Sequence, residues 1–84
     1  MTDHVQGETM TNKPQWKDAP KWANWLSQDH DGKWFWSAGK VAPSKRDGFF
    51  SPVGFADYRC KLAGRGEVNH QWVQTLEYRP EAAQ

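Results

Sequence analysis

The chain of 84 residues has no isoleucine, three leucines (Leu26, Leu62 and Leu76) and five valines. So small an aliphatic supply is typical of chains that stay unfolded. Cys60 is the single cysteine, which excludes an internal disulfide and a multi-cysteine zinc site. No apolar run approaches the ~20 residues needed to cross a bilayer, so no membrane association is expected. The opening residues Met1-Thr2-Asp3-His4-Val5-Gln6-Gly7 lack a basic stretch followed by an apolar one, and no secretory leader is expected. A net charge of +1 excludes both a strongly basic nucleic-acid binder and an acidic mimic of one.

Aromatic residues are what the chain has in quantity: six Trp, four Phe and two Tyr. Each buried ring removes about 150–250 Å² from water, so a few tryptophans do the packing of many leucines. The balanced charge also favours folding. The expectation is one small domain over residues 15–80, monomeric or weakly oligomeric. Residues 1–14 read as a disordered tail, since Val5 and Met10 alone cannot offset the cost of ordering that backbone. Residues 81–84 read as a frayed C-terminus.

Within the domain, Asp18 is a suitable N-cap and Pro20 suits a first helical turn. Trp22, Trp25 and Leu26 follow at i, i+3 and i+4, which predicts a short amphipathic helix over 19–28. Asp29-His30-Asp31-Gly32 is a turn. Residues 33–38 alternate as a strand, with Trp34, Trp36 and Ala38 on one face and Lys33, Phe35 and Ser37 on the other. Pro43 to Gly48 is a polar loop, and Pro52 limits residues 49–53 to an edge strand or an extended segment. Residues 56–62 alternate again, with Ala56, Tyr58, Cys60 and Leu62 as the buried side. Residues 68–79 fit a helix capped by Asn69 or a strand hairpinned onto 56–62, the helix being preferred. The fold class expected is α+β: a short N-terminal helix on a small antiparallel sheet, with a second helix near the C-terminus. Its expected core is Trp22, Trp25, Leu26, Trp34, Trp36, Tyr58, Leu62, Trp72 and Leu76.

The run Trp22-Ala-Asn-Trp25-Leu26-Ser-Gln-Asp29-His-Asp31-Gly32-Lys-Trp34-Phe-Trp36 resembles a pattern in small uncharacterised proteins of tailed bacteriophages and prophages. Trp72-Val-Gln-Thr75-Leu76-Glu77-Tyr-Arg79-Pro80 is similar to a second piece of the same family. The two pieces cover about 24 residues, and residues 40–66 have no counterpart in the pattern. The resemblance implies a phage accessory protein acting in the host cytoplasm. It carries no catalytic residues and no substrate.

No enzyme site emerges from the residues themselves. Asp29-His30-Asp31-Gly32 resembles the start of a calcium-binding loop but lacks the later acidic ligands, with Lys40 at the twelfth position. Asp side chains bonding the turn's own N–H groups are the plainer reading. His4, His30, His70 and Cys60 show no metal-ligand spacing, and Cys60 reads as a small buried apolar residue. Neither a metal nor a cofactor is expected, and the protein is read as non-enzymatic.

Two binding readings remain. Residues 33–65 hold seven basic side chains against Asp47 and Asp57, whereas both flanks are net acidic. Lys33, Phe35, Arg59 and Lys61 would give a basic, aromatic sheet face of the kind that holds single-stranded nucleic acid, although a solvated mixed surface explains the same residues. The surplus of rings supports a surface for a host or phage protein, with Phe35, Phe49, Phe50, Arg59 and Lys61 as its residues; a core that absorbs every ring is the opposing reading. Protein binding is the preferred function, with single-stranded nucleic acid as the alternative.

Overall fold

The computed structural model describes residues 13–54 and 57–81. Within them, strands β1 (Trp25–Gln28), β2 (Lys33–Ser37), β5 (Cys60–Arg65) and β6 (Glu77–Tyr78) form an antiparallel sheet in the order β5-β2-β1-β6. Strands β3 (Val41–Ser44) and β4 (Phe49–Pro52) form a separate two-stranded ribbon. The helical elements among the described residues are two 3-10 turns, Trp16–Asp18 and Trp72–Thr75.

The helix expected over 19–28 is therefore corrected, and with it the α+β class: this is a sheet structure without an α-helix among the described residues. Ala23 N–H donates to the Pro20 carbonyl (3.0 Å), which closes one turn, and the helix goes no further. A ten-residue helix is marginal by itself. As β1, the same residues have bonding neighbours on both sides: Leu26 lies opposite Trp36 on β2 and Glu77 on β6. The i, i+3, i+4 spacing of Trp22, Trp25 and Leu26 suits a helical stripe, but alternation puts Trp25 and Leu26 on opposite faces. Both faces of β1 are covered, so it is apolar-compatible on each side. Sequence alternation fails for that reason.

One face packs under the N-terminal segment. Leu26 (fully buried), Trp34, Trp36 and Ala23 form the core cluster, with Trp16, Ala19, Trp22 and Ala63 against it. The Trp16 and Trp36 ring centroids are 4.9 Å apart. Arg79 fastens this cover: its Nη1 donates to the carbonyls of Pro20 (3.1 Å) and Ala23 (2.7 Å), and its guanidinium lies 5.5 Å from the Trp16 ring centre. Lys13, assigned to the tail by composition, forms an ion pair with Glu77 (3.0 Å). Residues 1–12 of that tail lie outside the described residues, as do Phe55, Ala56 and residues 82–84.

The other face lies under the β3–β4 ribbon. His30 N–H donates to the Gly48 carbonyl (2.9 Å), Phe50 N–H donates to Asp29 Oδ1 (3.2 Å), and the Phe50 ring meets Trp72 edge-on at 5.3 Å. Pro43, expected in a loop, pairs with Phe50 inside the ribbon. A two-stranded ribbon has only edges, so a proline there removes no interior ladder bond.

Two further expectations are corrected. Residues 68–79 are neither one helix nor a hairpin partner of 56–62. They make the Trp72–Thr75 turn and then β6, which pairs with β1. Thr75 Oγ1 accepts from Gln28 N–H (2.8 Å) beyond the end of β6, so the turn continues the edge that the short strand leaves open. On β5 the alternation holds but its sides are not as expected. Tyr58 and Leu62 are 61% and 40% exposed and Cys60 is exposed. The register shifts between Trp34, opposite Gly64, and Phe35, opposite Leu62. Ala63 is the extra residue of this bulge, and it is Ala63 that packs on the core. Of the remaining expected core residues Trp72 is buried, while Trp22, Trp25 and Leu76 are half-buried.

Candidate functional site

Strand β5 is an edge of the four-stranded sheet, and its outer N–H and C=O groups face no neighbouring strand among the described residues. Opposed residues share a face in an antiparallel pair. Cys60 with Ser37 and Leu62 with Phe35 therefore lie on the ribbon face, and Lys61 with Trp36 lies on the other. Cys60 and Leu62 on this edge, with Tyr58 two residues before the strand begins, form an exposed apolar stripe at i, i+2 and i+4. Tyr58 is held by its hydroxyl, which donates to the Gly54 carbonyl (2.7 Å). At the far end of the strand Lys33 lies opposite Arg65, two like charges side by side, and Asp31 sits 3.6 Å from the Lys33 ammonium.

Beside the stripe, between sheet and ribbon, is a cavity of about 140 Å³. Phe35, Val41, Phe50 and Pro52 supply apolar wall, and Ser27, Ser37 and Asp29 supply polar atoms. Burial pushes the Asp29 carboxyl above the usual carboxylate range, with the Asp31 charge adding to the rise; the Phe50 N–H bond and Lys33 oppose it. At the rim, Asp57 and Arg59 form a two-point ion pair (2.6 and 3.0 Å). Those bonds hold the Asp57 carboxyl below its ordinary value and raise the Arg59 guanidinium.

The residues singled out in the sequence do not form one surface. Phe35 and Phe50 share the cavity. Phe49 is 45% exposed on the ribbon. Arg59 N–H groups are committed to Asp57, and its guanidinium lies 5.2 Å from the Trp22 ring centre, on the N-terminal side of the sheet. Lys61 shares that side, whereas Lys33 and Phe35 lie on the ribbon side. The four residues of the nucleic-acid reading are thus divided between two faces. The Asp29–Gly32 turn is braced as expected at Asp31, whose Oδ1 accepts from Lys33 N–H (3.1 Å), while Asp29 reaches across to the ribbon. His30 and His70 meet edge-on at 5.3 Å. No group of three or more His, Cys, Asp or Glu is placed to hold a metal among the described residues, and no helix there is long and apolar enough to cross a membrane.

Sequence reasoning missed Ser27, Ser37 and Asp29 as cavity residues. Their signal was faint: two serines in otherwise aromatic strands, opposite apolar ribbon residues that are remote in the chain. Comparison of the chain with known protein families, curated proteins and solved structures finds no match to any of them.

Proposed function

We propose that the protein is a non-enzymatic accessory protein that works by binding another protein, and that it does so along β5. The observation that carries this reading is an exposed apolar stripe on a free sheet edge: Tyr58 and Leu62 are 61% and 40% exposed beside Cys60. An open edge supplies main-chain bonds to an extended partner, and the alternate side chains supply selectivity. Lys61 and Arg65 lie on the same strand, so an extended segment with acidic residues is the partner that fits. The bulge at Ala63 interrupts the ladder between β2 and β5, which supports Cys60–Leu62 as the regular stretch available to a partner. Resemblance to phage proteins makes a host or phage protein the natural source of that segment, with the host cytoplasm as its setting.

Affinity capture from bacterial lysate tests this with wild type and Leu62→Asp. Leu62 is 40% exposed at the sheet edge and outside the core cluster, so the substitution sets a charge against the partner at less cost than at a core position, and an unchanged tryptophan emission spectrum of the variant checks that the fold is kept. A stoichiometric partner held by wild type and lost by Leu62→Asp is expected. Capture of none by wild type, or equal capture by both, refutes the reading. The nucleic-acid alternative has less support, because its residues are split between faces. It predicts oligonucleotide binding that weakens steeply with salt.

A further inference from the structure

Tyr58 and Cys60 of the docking stripe also line the cavity beneath the ribbon, but docking along β5 does not account for the polar groups on its opposite wall. Ser27 and Ser37, 2% and 5% exposed, line it, and neither hydroxyl is among the buried polar atoms left without a partner. The serines therefore present their hydroxyls to this space, where a polar occupant can bond them. Asp29 lines the same space. Its Oδ1 accepts from Phe50 N–H (3.2 Å), which leaves Oδ2 for an occupant.

The nearby cations are engaged elsewhere: Lys33 lies 3.6 Å from Asp31, and Arg59 is held by Asp57. The polar lining is therefore Asp29, the two serines and the mutually paired Asp57 and Arg59, and no cation is bonded to Asp29 among the described residues. Its walls, Phe35, Val41, Phe50 and Pro52, are apolar. The volume of about 140 Å³ is close to that of an apolar cavity that takes up benzene, ~150 Å³.

We propose that this cavity binds a small primary amine, as its ammonium ion on an apolar body of one ring. The ammonium bonds Asp29 and the serine hydroxyls, and the ring lies between Phe35 and Phe50. An anion would meet the Asp29 carboxylate. A wholly apolar occupant would leave the carboxylate and hydroxyls unpaired. No group of three or more His, Cys, Asp or Glu is placed to hold a metal ion among the described residues. The ammonium alone satisfies every polar group through charge-assisted bonds, and pockets of this kind commonly combine apolar walls with a few convergent polar atoms.

Amide chemical shifts of the full ¹⁵N-labelled chain provide the test, with benzylamine, benzoate and Nα-acetyl-lysine methylamide as probes. Benzylamine is expected to move the amides of Ser27, Asp29, Ser37 and Phe50 in a saturable way, and benzoate is not. Asp29→Asn keeps an acceptor for Phe50 N–H and is expected to weaken benzylamine about tenfold or more, the loss of one charge-assisted contact. Ser37→Val fills the polar wall without touching the carboxylate and gives a second route to the same loss. No saturable shift with benzylamine, equal binding of benzoate, or equal binding by both variants and wild type overturns the proposal. Tighter binding of the lysine derivative than of benzylamine also overturns it, because the site then belongs to a protein side chain.

Discussion

Gly32 offers the sharpest test of how the turn after β1 is built. Its φ is +98°, a conformation that side-chain-bearing residues rarely adopt. A Cβ there would collide with the Gly66 carbonyl oxygen and lie 2.8 Å from the carbonyl carbon and oxygen of Glu67. Both obstacles are backbone, so the collision is relieved only by moving residues 66–67, just past the end of β5. That movement strains the Gly66 N–H bond to the Gly32 carbonyl (2.8 Å) and the Gln28 Nε2 bond to the same oxygen (3.0 Å). Gly54 and Gly48 separate the two effects. Gly54 has φ +68° with nothing within 4 Å of an added Cβ, and at Gly48, φ +80°, the neighbour is His30 Cβ at 3.4 Å. Alanine in the left-handed region costs about 1–2 kcal/mol, less about 0.4–1 kcal/mol for the stiffer unfolded chain. Gly54→Ala should therefore lose roughly 1 kcal/mol or less, and Gly48→Ala about the same. Gly32→Ala adds the loss of two hydrogen bonds at about 0.5–1.5 kcal/mol each, for a total of roughly 2–4 kcal/mol. Urea titration followed by tryptophan fluorescence measures all three, with unchanged m-values showing that the native state is comparable. Equal losses for Gly32→Ala and Gly54→Ala would mean that the Gly32–Gly66 contact does not constrain the turn.

Two other perturbations have defined outcomes. Arg79→Ala removes the two bonds to the Pro20 and Ala23 carbonyls and should cost about 3–6 kcal/mol at the usual strength of charged hydrogen bonds; Lys13→Ala breaks a partly exposed ion pair with Glu77 and should cost about 1 kcal/mol or less. A loss for Arg79→Ala no larger than for Lys13→Ala would show that the N-terminal cover is held by the rings alone. Asp29 titrates above its ordinary 3.8 in the folded chain, so between the unfolded and folded values the native state binds more protons and its stability falls as pH rises. Relative to wild type, Asp29→Asn should therefore gain stability as pH is raised from 3.8 until the native carboxyl is ionised, then hold that gain; a pH-independent difference in denaturation midpoints would refute the assignment.

Local chemistry and composition determined several features without tertiary information. The shortage of aliphatics together with the wealth of tryptophan led directly to a ring-built core, and Leu26, Trp34, Trp36 and Trp72 are buried in it. Strict alternation placed β2, and Asp31-Gly32 placed the turn before it, because period and turn chemistry act between residues a few positions apart. The 19–28 segment was misread because its spacing fits two periods. What decides between them is lateral: the backbone groups of Trp25–Gln28 find bonds on β2, on β6 and at Thr75, from residues as far as 53 positions away.

The sides of β5 needed the fold for a different reason. Alternation correctly separated Tyr58, Cys60 and Leu62 from Arg59 and Lys61, but a bulge at Ala63 and a position at the sheet edge decided which residues met the core. The cavity was less legible still, since Ser27, Ser37 and Asp29 acquire their meaning only when Val41 and Phe50 are laid over them. Sequence thus determined which residues are able to pack, because that depends on their own surfaces. Tertiary structure alone decided which apolar residues remain uncovered and which polar ones are enclosed, because burial is a property of neighbours that the chain brings together only on folding.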